Sequence, residues 1–161
     1  MLKRVFGSSL GKKYVMAITG LVLLGFVIMH MIGNLQLFLG REALNRYAAF
    51  LQGLGELLWV ARIGLLASVG LHIWAAVTLT LSNRVAKPVR YAVANPNASS
   101  YASRTMIYSG LIVLAFIAFH LAHFTLGLTH PEQYALIDEQ SRHDVFGMVV
   151  SGFQSPWVSG F

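Results

Sequence analysis

The feature that constrains this chain most is a set of three long apolar runs without Asp, Glu, Lys or Arg. A helix that crosses a bilayer needs about 20 predominantly apolar residues. Such a segment must be helical, because the lipid core offers no water to bond its backbone. The sequence therefore predicts an all-α transmembrane helix bundle with at least three spans, at about residues 14–39, 57–82 and 105–128.

The composition favours a membrane protein over a soluble one. Hydrophobic residues make up 56% of the chain and charged residues 11%, and the mean hydropathy is +0.63. A typical soluble domain is about 45–50% apolar and about 25% charged. We expect residues 1–161 to form a single transmembrane domain. Because the chain has no Cys, it is not a disulfide scaffold and cannot itself hold an iron–sulfur cluster or a thiolate zinc site.

The segments outside the spans carry further signals. Apolar residues recur at helical spacing from Ala43 to Leu51, which predicts a short amphipathic helix at the membrane interface. Residues 56–62 are expected to form the first turns of the second span, and residues 95–100 a polar, turn-rich connector. A fourth span is expected to start near Pro156, so we expect the chain to be incomplete at its C-terminus.

Basic residues concentrate on one predicted side of the membrane. The N-terminal segment and the connector after the second span hold eight basic residues and no acidic one. These are Lys3, Arg4, Lys12, Lys13, Arg84, Lys87, Arg90 and Arg104. All six acidic residues lie on the other side, so the positive-inside rule predicts a cytoplasmic N-terminus. We expect no nucleic-acid partner, because that reading needs a soluble fold with a groove-reading element.

Each predicted span contains a histidine, and ionisable residues inside a membrane indicate function. At about 1.5 Å of rise per residue, His30 lies about 25 Å and His120 about 24 Å from the cytoplasmic ends of their spans, and His72 about 18 Å. Two histidines at one level on facing helices are what a six-coordinate b-type haem requires. The sequence therefore predicts that His30 and His120 bind one haem iron, whereas His72 lies deeper towards the cytoplasm, without a partner histidine in this chain.

Other readings of the histidines stay open at this point. A single intramembrane histidine such as His72 is often a hydrogen-bonded packing residue. His123 lies one turn beyond His120, nearer the outer surface, and is an interfacial residue, a contact of a haem propionate or quinone, or an alternative axial ligand to His120. His130 and His143 fall in a polar outer segment and are expected to be solvated. Zinc is disfavoured, because three or four ligands would have to converge.

Three stretches resemble a known family. Residues 9–20 (SLGKKYVMAITG), 30–36 (HMIGNLQ) and 42–51 (EALNRYAAFL) are similar to the cytochrome b membrane-anchor subunit of succinate dehydrogenase/fumarate reductase. The class is the one with a single anchor subunit and two haems. Residues 144–156 also resemble the segment that precedes the fourth helix there, so the resemblance covers essentially the whole chain.

The resemblance implies five spans, with one haem ligand on each of the first four. It assigns His30 and His120 to the haem farther from the catalytic subunits and His72 to the nearer one. The complete subunit would hold two haems b. The fourth ligand is not among these residues, so either the chain is a fragment or another chain supplies that helix.

The resemblance also implies a function in a multi-pass protein of the cytoplasmic (inner) membrane of a prokaryote. The partners would be a flavoprotein with FAD, which interconverts succinate and fumarate, and an iron–sulfur subunit docked on the basic face. This chain would carry electrons between that subunit and a membrane quinone, with menaquinone expected, and would hold no dicarboxylate site. Candidate quinone residues are Asn34, Gln36 and Glu56, near the outer ends of the first two spans.

Two rival functions remain from the sequence. One is the cytochrome b subunit of another quinone-linked dehydrogenase, such as formate dehydrogenase or hydrogenase, although residues 30–51 argue against it. The other is a membrane anchor without haem, in which the histidines only pack.

Overall fold

The computed structural model describes residues 6–86 and 99–160, which form an all-α structure. The helices are α1 (Ser9–Asn34), α2 (Arg41–Gly53), α3 (Glu56–Ala86), α4 (Tyr101–His120), α5 (Pro131–Tyr134), α6 (Val145–Gln154) and α7 (Pro156–Ser159). A 3₁₀ helix, Leu35–Leu39, continues α1, and a π-helical turn, Leu121–Thr125, continues α4. Lys3, Arg4, Lys87 and Arg90 lie outside the described residues, as does most of the predicted connector at 95–100.

Within residues 6–86 and 99–160, three helices are long and apolar enough to cross a membrane, which confirms the three predicted spans. They extend over Ser9–Leu39, Glu56–Ala86 and Tyr101–Thr125. The first two have 31 residues each and are therefore about 46 Å long, against a hydrocarbon core about 30 Å thick. Their ends thus continue as helix beyond the apolar core, which is why they exceed the predicted bounds.

The third span ends earlier than predicted, at Thr125 and not near residue 128. Its last turn is widened, because the amide of Leu126 bonds the carbonyl of Leu121, five residues back, at 2.9 Å. Gly127 then adopts a positive φ of 64°, which ends the helix.

The first compact unit combines Met1–His30 with Glu56–Tyr101 and so contains most of α1 and all of α3. Thr19 on α1 and Ala75 on α3 are buried in it. Phe6 lies edge-on to Trp74 with ring centroids 5.5 Å apart, and the Lys12 ammonium lies 5.9 Å from the same ring. Small residues at such an interface let two membrane helices approach closely.

The second compact unit combines Met31–Gly55 with Ala102–Phe161. Its α2 confirms the short helix predicted around residues 43–51, and α2 packs against α6 and the 3₁₀ helix. Gly33 allows the ring of Tyr47 to lie against the end of α1.

A polar cluster joins α2 to the outer segment that precedes α6. Asn45 is fully buried, and its amide nitrogen donates to Asp138 at 3.1 Å and to Asp144 at 2.9 Å. Arg41 donates to Asp144 at 2.8 Å, and Arg142 bridges Asp138 to Glu42 on α2. Two carboxylates of this polar segment, Asp138 and Asp144, are therefore buried.

The arginine bridge also controls ionisation in this cluster. Burial alone would raise the pKa of Asp138, but hydrogen bonds from Arg142, Asn45 and the Gln140 amide outweigh it and lower the pKa to about 2. A hydrogen bond from Arg142 likewise lowers the pKa of Glu42. These contacts keep both carboxyl groups charged, so the cluster is ionic at neutral pH.

Candidate functional site

His72 lies in the middle of α3 and its ring lies against α1. Its Nδ1 is 3.1 Å from the hydroxyl of Thr19. A β-carbon on Gly20 would come within 3.3 Å of the ring carbon Cε1, so the absence of a side chain at Gly20 gives the ring its place. For Nε2, no hydrogen-bond partner lies among residues 6–86 and 99–160. One ring nitrogen is therefore held by the protein and the other is available.

Thr19, the partner of His72, also bonds to its own helix. Its hydroxyl lies 2.7 Å from the carbonyl oxygen of Val15 and 3.2 Å from that of Met16. This bond one turn back is the usual way a threonine satisfies its hydroxyl inside a membrane helix. The sequence analysis missed Thr19; its signal would have been a hydroxyl in the first span near the depth of His72.

His30 lies on α1 eleven residues beyond Thr19 (30 − 19), at an exposed position. Its ring stacks on that of Phe26, one turn earlier, with centroids 5.2 Å apart and an interplanar angle of 19°. The aromatic ring orients the imidazole from its own helix.

His120 is the last residue of α4, at the point where the π turn starts. Its ring lies between those of Phe116 and Phe124, at centroid distances of 5.6 Å and 5.2 Å. His120 belongs to the second compact unit and His30 to the first, so the proposed pairing of these two histidines stays a prediction.

His123 is buried inside the second compact unit. It is only 2% exposed, and its Nδ1 lies 2.5 Å from the Thr129 hydroxyl and 3.4 Å from His130 Nδ1. Its buried Nε2 has no hydrogen-bond partner within the described part of the chain. The same atom lies 3.0 Å from where a β-carbon on Gly152 would stand, so α6 covers it.

The expectation that His130 and His143 are solvated is wrong. His130 is half-buried beside His123, with ring centroids 5.2 Å apart. The Nε2 of His143 contacts the carbonyl oxygen of Tyr134, and its Nδ1 is buried. Both histidines are held by the fold of the outer segment, which hydropathy does not reveal.

The three candidate quinone residues lie at helix ends. Asn34 is the last residue of α1, Gln36 is half-buried in the 3₁₀ helix that follows, and Glu56 is the exposed first residue of α3. Asn34 and Gln36 belong to the second unit and Glu56 to the first. A shared quinone pocket therefore stays a prediction.

The donors present suit haem better than a bare metal ion. In the described ranges, no three His, Cys, Asp or Glu side chains converge as a metal site. A six-coordinate b-type haem iron needs one imidazole on each axial side, and the porphyrin supplies the other four ligands. His72 could supply one of these two imidazoles, because its Nδ1 is bonded to Thr19 and its Nε2 has no hydrogen-bond partner among the described residues.

No family model, curated protein or solved structure matches this chain. The chain is thus defined by its fold as a helical membrane protein, and its function is argued from its residues.

Proposed function

We propose that this chain is a haem b-containing membrane anchor of a succinate:quinone oxidoreductase (succinate dehydrogenase/fumarate reductase). It carries electrons between an iron–sulfur subunit and a membrane quinone, in the cytoplasmic membrane of a prokaryote. The observation that carries the proposal is the environment of His72, at an intramembrane depth where a bare imidazole nitrogen is costly unless something binds it.

The two other histidines support the same chemistry. His30 and His120 come to one calculated depth from opposite chain directions, and each ring lies against an aromatic ring of its own helix or the turn beyond it. A stacked aromatic side chain limits rotation of the imidazole. Both imidazoles are therefore oriented in part by a neighbouring aromatic ring.

The family-like stretches favour the succinate-linked complex over other haem-containing anchors. Residues 30–36 place Gly-Asn-Leu-Gln soon after a candidate ligand, and residues 42–51 form α2, which packs on the end of the same span. The chain thus contains, in order, the segments on which the resemblance depends.

The basic face supports docking of an electron-transfer partner. Lys13 and Arg84 are exposed, and Lys12 is half-buried against Trp74. An acidic surface on the iron–sulfur subunit would complement them and be steered to this end of the spans. Electrons would then enter or leave near the end of the chain closer to His72.

In this proposal the chain's own residues bind the redox groups, orient them and keep water away from them. The histidines hold the redox groups at fixed depths, and the apolar helices exclude water from them. When bound, haem b supplies reversible one-electron transfer. Asn34, Gln36 and Glu56 would give the quinone its hydrogen-bond donors and a proton-exchanging carboxyl group.

The test is isolation of the full complex through this chain from membranes of its source organism. We expect a reduced-minus-oxidised spectrum with the sharp bands of a low-spin b haem. We also expect two co-purifying soluble subunits, one with covalent flavin, and succinate:quinone reductase activity.

The same preparation separates the rival functions. Subunits that oxidise formate or hydrogen would identify another quinone-linked dehydrogenase. A complex without any haem bands would identify a haem-free anchor, and would refute the proposal.

A further inference from the structure

The hydroxyl of Thr19 determines where the ring proton of His72 lies. A threonine hydroxyl has one proton to donate and two lone pairs, and a backbone carbonyl can only accept. The Thr19 hydroxyl lies 2.7 Å from the Val15 carbonyl oxygen. Two oxygens approach so closely only when a proton lies between them. The hydroxyl proton is therefore used on the backbone, and His72 Nδ1 must donate.

A hydrogen bond in the opposite direction, from the Thr19 hydroxyl to His72, would be unfavourable for both residues. If Thr19 donated to Nδ1, the oxygens of Thr19 and Val15 would face each other at 2.7 Å without a proton. The ring proton of neutral His72 would then lie on Nε2, for which the described ranges offer no acceptor. An unpaired donor in an apolar environment costs several kcal/mol, on the order of 4–8 in hydrocarbon.

From this geometry we infer that Thr19 is a positioning residue, which holds His72 as the Nδ1–H tautomer with a bare Nε2. The bare nitrogen is the form of imidazole that binds iron. A hydrogen bond from Nδ1–H also makes Nε2 a more basic ligand. The part of this inference that concerns iron rests on the proposed function, whereas the tautomer rests on the protein contacts alone.

Thr19 can bond His72 because of its position on α1. Gly20, the next residue, lets the ring come close enough to be reached, since Cε1 lies 3.3 Å from where its β-carbon would stand. Thr78 on α3 provides a matched comparison. It makes the same two backbone bonds, 2.8 Å to Trp74 and 3.2 Å to Ala75, but its hydroxyl bonds no imidazole in the described structure.

The first experiment reads the tautomer without haem. The full chain, labelled with ¹⁵N-histidine and produced in cells that cannot make haem, is placed in lipid nanodiscs, and His72→Gln assigns the signal of His72. We expect a protonated Nδ1 and an unprotonated Nε2 in the wild type and in Thr19→Ser. Thr19→Val should lose this preference and Thr78→Val should keep it. A proton on Nε2 in the wild type would overturn the inference.

The second experiment reads the ligand in the intact complex. Thr19→Val should raise the midpoint potential of the haem bound at His72, because the ligand becomes less basic. It should also weaken retention of that haem roughly ten- to hundredfold. Thr19→Ser and Thr78→Val should leave both properties at the wild-type value. Equal effects of Thr19→Val and Thr78→Val would refute the positioning role.

The two experiments separate an error in the proposed function from an error in the Thr19–His72 contact. A wild-type complex that contains no haem refutes the proposed function together with the part of the inference that concerns iron. The tautomer in the haem-free chain is then still decided by the nitrogen signals, so an error in the function is distinguishable from an error in the contact.

Discussion

The Tyr47 hydroxyl lies over Gly33 so closely that a β-carbon on the glycine would stand 2.6 Å from its oxygen. Gly33 comes three residues after His30 on α1, and Tyr47 lies on α2. The contact fixes α2 against the C-terminal end of the first span. It also explains why the glycine of residues 30–36 cannot be exchanged for another residue without moving α2.

Gly33→Ala should therefore destabilise the chain by about 1–3 kcal/mol, the usual cost of overpacking. The matched control is Gly25→Ala on the same helix, where a β-carbon meets nothing within 4 Å and the stability should hardly change. Equilibrium unfolding in mixed micelles measures both. In a Tyr47→Ala background the cost of Gly33→Ala should largely vanish, and an unchanged cost there would contradict the contact.

Asn45→Ala should destabilise the second unit, because Asn45 is fully buried and bonds both Asp138 and Asp144. Leaving buried polar groups without partners costs about 1–3 kcal/mol, and more for charged groups. The control is Gln52→Ala, an exposed position near the end of the same helix. The unfolding midpoints of the two variants give the comparison, and equal midpoints would exclude a structural role for the amide.

The stability of the chain should fall in acid through Asp138. Its pKa is lowered from 3.8 to about 2 in the folded state, so between these values the unfolded chain binds more protons. The stabilisation is thus fully present above about pH 4 and is lost as the pH falls towards 2. The lowered pKa of Glu42 acts in the same direction.

Unfolding between pH 2 and 6 checks this directly. Asp138→Asn should flatten the pH dependence, whereas Glu139→Gln, at an exposed neighbour, should not. A wild-type slope that survives in Asp138→Asn would assign the acid sensitivity to other carboxyl groups.

Substitution of the candidate ligands should remove haems selectively. His72→Ala should lose the haem nearer the cytoplasm and keep the outer one, and His30→Ala or His120→Ala should do the opposite. His130→Ala is the control, because that ring lies beside His123 in the outer segment. The pyridine haemochrome assay on purified complexes gives the number of haems per complex. Two haems retained in both His30→Ala and His120→Ala would disprove the pairing.

The orientation of the chain in the membrane can be tested with single introduced cysteines, because the chain has no Cys of its own. Ser99→Cys should react with a membrane-impermeant maleimide only after the cytoplasmic side is opened. Glu139→Cys, in the outer segment, should react in intact cells. The opposite pattern would invert the topology inferred from the basic residues.

Much of the fold follows from the sequence because lipid leaves the backbone few choices. An uncharged run long enough to cross must be a helix, and the spacing of apolar residues from Ala43 to Leu51 is enough to predict α2. The ends of the spans were less well predicted, because the first two helices continue past the apolar core, whereas the third ends early where Gly127 turns the chain.

The contacts around the histidines and carboxylates could not be predicted in the same way. Thr19 and His72 are 53 residues apart, and Asn45 and Asp144 are 99 apart. Each pair depends on how two helices are rotated against each other, and hydropathy carries no information on rotation. For the same reason the sequence does not predict the burial of Asp138 and His123, each of which is covered by a segment distant in the chain.

Asp144 caps α6 through the amide of Gly147, and the same carboxylate accepts from Arg41 and Asn45 on α2. Apolar contacts alone specify the rotation of a short helix weakly, because they have no direction. A charged group fixed at its first turn adds that direction. The face that α6 turns towards His123 is therefore set in part by a polar anchor at the start of the helix.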